Sequence, residues 1–120
     1  MKFTKGRYYI GDPVYVISDE DWGGLLNATK LFTSKEQFYK GVPILAGKTI
    51  RKNGICYDDK NRKYSIDSGN LSIIPIEVID MKKFRKINNK NICHVIEFKN
   101  DFDVEIENGT FKFGGIFIDA

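Results

Sequence analysis

Two acid-bearing corners offer the first chemical possibility. Gly11-Asp12-Pro13 separates the β-rich runs Arg7 to Ile10 and Val14 to Ile17, and Asp67-Ser68-Gly69 follows the run Lys63 to Ile66 in the same way. Proline fixes its own φ, lacks an N–H and pushes the preceding residue towards extended geometry, while glycine admits a close approach that a side chain blocks. Asp12 therefore sits on a stiff corner with its carboxylate held in a set direction. If both corners lie at one rim of a small sheet, Asp12, Asp67 and Ser68 accept or share hydrogen bonds with a common guest. The plain alternative is two unrelated surface turns in which Asp12 merely satisfies nearby amides.

Aromatic and basic residues complete the candidate site. Tyr15 or Trp22 supplies a face for stacking, and Arg51, Lys83 and Arg85 meet negative charge. Alternation puts Tyr8 and Ile10 on one side of their strand and Tyr9 on the other, so Tyr9 or Tyr15 is expected to point away from the interior. The stretch "MKKFRKINNKN" carries Lys82, Lys83, Arg85, Lys86 and Lys90 without an acid, which suits phosphates or an acidic protein surface as well as a solvated loop. His94 is the lone histidine, in phase with Ile92, Ile96 and Phe98, and reads as a satisfied core or edge residue rather than a base.

Several chemistries lack their pattern. There is no GxSxG, no HExxH and no paired-histidine spacing, and "AGKT" at Ala46 to Thr49 fails the phosphate-loop spacing because position 42 is Val. Cys56 and Cys93 stand far apart with no CxxC, so a half-buried pair of free thiols is expected, with no metal and no cofactor. Lys plus Arg totals 19 against 16 for Asp plus Glu, a net charge of +3. That balance is too mixed for a DNA-coating protein and too basic for an acidic nucleic-acid mimic, but it suits a small anionic ligand.

The elements that must position these residues are mostly strands. At 120 residues the chain is one domain, 1–120, with 13% aromatic residues that favour sheet. "DFDVEIENGTFKF" reads as a hairpin on Asn108-Gly109, with Phe102, Val104, Ile106, Phe111 and Phe113 on one face and Glu105 opposite Lys112 on the other. A second hairpin joins Ile55 to Tyr57 with Lys63 to Ile66 through the turn Asp58 to Arg62. Leu71 to Ile74 reads as a buried strand ending near Pro75, and Asn91 to Phe98 and "GGIFIDA" read as further strands. One helical segment is expected between about Asp19 and Phe38, opened by Ser18 as N-cap with Asp21 three residues on. The N-terminus lacks a secretion signal and no stretch is long enough to span a membrane, so a cytoplasmic protein is expected.

The strings "GRYYIGDPVYVI", "YSIDSGNLSIIP" and "FKFGGIFIDA", in that order over most of the chain, resemble a group of small uncharacterised phage and bacterial proteins. That group carries an "IGDPCYV" signature, an Asp-(Ser/Ala)-Gly element and a closing "F.FG...ID" strand. Val14 stands where the signature has Cys, which argues against a nucleophile or metal ligand at that position. The resemblance implies a phage setting, hence the host cytoplasm, and no assigned reaction.

These readings combine into a mainly β fold, a compact antiparallel barrel or sandwich of about eight strands with one short helical insertion. The expected function is non-enzymatic binding of a small polar or anionic ligand of nucleotide type, sequestering a host defence signal. Alternatives are an interaction module that inhibits a host protein, or a small hydrolase using Asp12 and Asp67. Self-association through a sheet edge is compatible with the pattern.

Overall fold

The chain uses the middle sheet of the molecule as a partition with an apolar layer on each side. A computed structural model describes residues 2–18, 20–21, 37–50, 54–87 and 92–120. In chain order the strands are β1 (Lys2–Phe3), β2 (Gly6–Gly11), β3 (Gln37–Tyr39), β4 (Val42–Lys48), β5 (Ile55–Tyr57), β6 (Lys63–Ser65), β7 (Asn70–Pro75), β8 (His94–Phe98), β9 (Phe102–Glu107), β10 (Thr110–Phe113) and β11 (Ile116–Asp119). They form a four-stranded sheet ordered β1-β9-β10-β11, a five-stranded sheet ordered β3-β4-β7-β2-β8, and the ribbon β5-β6. Their pairings are antiparallel throughout. The fold is mainly β as expected, but the three sheets stay separate and close no barrel among the described residues, where eleven strands replace the expected eight.

One core joins the inner face of the four-stranded sheet to one face of the five-stranded sheet, through Phe3, Phe102, Val104, Phe111 and Ile118 on one side and Tyr8, Ile10, Leu45, Leu71 and Ile73 on the other. A second core lies on the opposite face of the five-stranded sheet, where Tyr9, Ile44 and Ile74 meet Val16, Ile17, Val78, Ile79 and Phe84. This double covering explains the continuous apolar run of β7, whose successive side chains enter alternate cores. It also buries Tyr9 completely, so of the two tyrosines expected to offer an outward ring, Tyr9 is removed. Tyr15 is half-buried.

The second core is roofed by short elements. A 3-10 turn at Pro13–Tyr15 replaces the strand expected over Val14 to Ile17, because Pro13 at its first position and the Asp12 carboxylate accepting from Val14 N set up a helical turn. A second 3-10 turn at Ile76–Val78 leads into helix α1 (Met81–Ile87). Asp80 caps α1 by accepting from the amides of Lys82 and Lys83 at 3.0 and 3.2 Å, and Phe84 is its buried residue. The described part of the basic run is thus a helix with Phe84 turned inwards and Met81 exposed, and Lys90 lies outside the described residues. In the insertion, Asp21 N donates to Ser18 Oγ at 3.3 Å, the expected cap, and the rest of that expected helix lies outside the described residues.

The C-terminal hairpin has the expected register: Glu107 opposite Thr110, Glu105 opposite Lys112, and Val104 opposite Phe113. Asn108 and Gly109 take φ values of 49° and 81°, the two positive angles a type I′ turn needs. At the other end of the chain, β1 belongs to the four-stranded sheet and β2 to the five-stranded one. The crossing is pinned by Tyr8 Oη donating to Thr4 O at 2.8 Å and Lys5 N donating to Asp101 Oδ1 at 2.9 Å.

Candidate functional site

The two acid corners meet, but not as two carboxylates facing a common space. Asp12 is wholly buried, and its carboxylate reaches across to the loop that follows β6. Its Oδ2 accepts from the amides of Asp67 and Ser68 at 2.7 and 2.6 Å, and its Oδ1 accepts from Val14 N at 2.9 Å and Ser68 Oγ at 2.7 Å. A carboxylate offers about four lone-pair positions. All are filled from within the chain.

The surrounding groups hold this latch in place. Ser72 Oγ donates to Gly11 O at 2.7 Å and Tyr9 Oη donates to Asp12 O at 2.7 Å, so the backbone on both sides of the carboxylate is fixed. A Cβ on Gly11 would lie 2.8 Å from both the Cys93 Cβ and the Tyr9 hydroxyl, so only glycine fits the close approach anticipated at this corner. Burial pushes the Asp12 carboxyl above its ordinary value, prevailing over the hydrogen bonds from Ser68, Val14 and Asp67 that favour the charged form. Burial likewise raises the Cys93 thiol to about 11, which makes it a poor nucleophile.

The outer surface of the corner is different. Asp67 is exposed, and its Oδ2 accepts from Tyr15 Oη at 2.5 Å. Partial burial and then this bond raise the Tyr15 hydroxyl to about 12, so it stays a donor at neutral pH. Ser68 is half-buried beside them. Asn70, two residues on, gives its Nδ2 to Ser68 O at 3.2 Å and leaves its buried Oδ1 without a hydrogen-bond partner. Because Ser68 O can only accept, turning the amide over would not relieve this.

The remaining expected site residues scatter. Lys83 on α1 donates from Nζ to Ile17 O at 2.7 Å, fastening the helix to the chain just beyond the 3-10 turn, and Arg85 is exposed on the same helix. Trp22 and Arg51 lie outside the described residues. His94 Nε2 lies 3.0 Å from Lys63 O, which requires the proton on Nε2, and its ring packs edge-on against Tyr64. Among the described residues, no group of three or more His, Cys, Asp or Glu is placed to hold a metal ion.

Sequence reasoning missed a second latch. Asp58, read as one residue of a polar turn, is buried and accepts from the Lys60 and Arg62 amides at 2.8 and 2.9 Å, from Arg62 Nη1 at 3.0 Å and from Tyr64 Oη at 2.9 Å. The spacing of Asp58, Arg62 and Tyr64 across a hairpin turn was its visible signal. Also missed was the cluster Lys2, Lys5 and Arg7, signalled by three cations within the first seven residues, which lines a cleft at the start of β2. No family model matches the chain, and no curated protein or solved structure matches it either.

Proposed function

We propose that the protein is a non-enzymatic binder of a small polar or anionic ligand of nucleotide type. The observation that carries this reading is the saturation of Asp12: with its four acceptor positions occupied by Val14, Asp67 and Ser68, it has none left for a metal or a proton in flight. That weighs against the hydrolase alternative, which needs Asp12 and Asp67 to act together. The latch serves binding instead, as the brace that presents Tyr15, Asp67 and Ser68 to solvent on a fixed backbone.

In this reading the protein works as a sink, in the host cytoplasm if phage-encoded, removing a signalling molecule without altering it. The two larger sheets, packed on a common core, supply a sandwich-like frame for the purpose. The competing reading, a module that inhibits a host protein, is favoured by one feature: α1 exposes Lys82, Arg85 and Lys86 on its outer side. The two readings separate when the protein is incubated with a nucleotide mixture and followed by thermal melting and by analysis of the supernatant. Binding predicts a raised melting temperature and recovery of the ligand unchanged. Appearance of a product that vanishes in Asp67→Asn overturns the reading, and co-purification with a macromolecule in place of any small-molecule shift favours the competitor.

A further inference from the structure

We propose that the seam where the chain passes from the four-stranded to the five-stranded sheet is an anion-binding cleft whose ligand carries a phosphate dianion on a compact organic body. This inference rests on the binding reading above and gives it a seat distinct from the Asp12 corner, at the opposite end of β2.

The cleft has a volume of about 250 Å³. Its existence follows from topology: β1 pairs with β9 while β2 pairs with β7 and β8, so the linker Thr4-Lys5 must bridge two sheets and leaves a hollow beside them. The bonds from Tyr8 Oη to Thr4 O and from Lys5 N to Asp101 fix the backbone beside that hollow, so the ordering cost of binding falls on the exposed side chains of Lys2, Lys5 and Arg7. Its charged lining is Lys2, Lys5 and Arg7 against the single carboxylate of Glu77, an excess of two positive charges. A dianion matches that excess, and the planar guanidinium of Arg7 suits two oxygens of one phosphate. Pro43 and Pro75 add rigid apolar surface to the same lining, where a compact body packs against groups that lose no side-chain freedom. The volume falls just below the roughly 300 Å³ at which pockets for drug-sized ligands begin. It suits a mononucleotide or sugar phosphate with part of its body in solvent, and it is too small for a dinucleotide.

The test uses the full-length protein, calorimetric titration with inorganic pyrophosphate and with adenosine 5′-monophosphate at low salt, and the variants Lys5→Ala, Arg7→Ala and, as a control on α1, Lys86→Ala. Lys5, Arg7 and Lys86 are exposed, so folding is expected to survive and is verified by circular dichroism. The expected result is binding by the wild type, a loss of roughly tenfold for each cleft variant, corresponding to one charge-assisted contact, and no change for Lys86→Ala. Amide shifts on titration, read by NMR, should gather at residues 2–8, 42 and 76–77. Equal affinity in wild type and cleft variants, shifts centred elsewhere, or no affinity for either probe overturns the cleft. Conversion of a probe to product is a different failure, since it overturns the non-enzymatic reading and leaves the seat standing.

Discussion

Asp12 and Asp58 solve one problem with different donors, and the difference shows in their acidity. Each is buried and accepts four hydrogen bonds. Burial raises both, but at Asp58 the Arg62 and Lys60 amides, the Tyr64 hydroxyl and the Arg62 guanidinium together outweigh it and hold the carboxyl below its ordinary value. The donors to Asp12 are all neutral, and burial prevails. A depressed folded-state value stabilises the fold above the unfolded value of about 3.9 and loses that stabilisation as pH falls through the folded one. The stability gap between wild type and Asp58→Asn, measured by urea unfolding, should therefore be full at neutral pH and shrink below about pH 4. A gap that widens on acidification contradicts the assignment. Asp12→Ala strands three amides and a hydroxyl, and should cost about 3 kcal/mol in the same measurement. Gly11→Ala should cost about 2 kcal/mol because its Cβ would press on Cys93 and Tyr9. A loss under about 1 kcal/mol for Asp12→Ala would mean that water or neighbouring groups take over the donors.

At the scale of elements, legibility depended on how local the governing interaction is. The C-terminal hairpin could be paired residue by residue because a two-residue turn fixes register and both faces agree with it. Whether the two corners meet was left open, as was the choice between a guest and backbone amides as partners of Asp12; the carboxylate takes amides, but those of Asp67 and Ser68, 55 and 56 residues away, which no local spacing identifies. Helix α1 was hidden by its charge, although Asp80 as cap and Phe84 as inward residue were its signals. Strand β4 was weighed only as a failed phosphate loop, and β1, of two residues, is too short to show periodicity. The junction of α1 with the 3-10 turn predicts that Lys83→Met, which keeps the stem and removes the bond to Ile17 O, costs about 1 kcal/mol in urea unfolding. Between β8 and β6, burial lowers the pKa of His94, so the folded state resists its protonation. Its contribution is present above the unfolded value of about 6.5 and is lost as pH falls through the lower folded one. Urea midpoints should fall between pH 7 and 5 in the wild type and fall less in His94→Gln.

At the scale of the whole molecule, three layers divide the labour. The central five-stranded sheet is covered on one side by the four-stranded sheet and on the other by α1 and the 3-10 turns, so both of its faces are spent on packing. Under the proposed reading, recognition falls to the ends of its strands: the latched corner after β2 and the cationic seam before it. Among the described residues no helix is long and apolar enough to cross a membrane. The net charge of +3 is drawn partly into the seam through Lys2, Lys5 and Arg7, which is why an anion rather than a neutral solute is the expected guest. The central claim, capture without chemistry, is tested most directly by native mass spectrometry of the full-length protein after incubation with a nucleotide mixture, followed by denatured extraction of whatever is retained. The account predicts one discrete adduct per chain that is released with its mass unchanged; a bare chain, or a released species of altered mass, would contradict it.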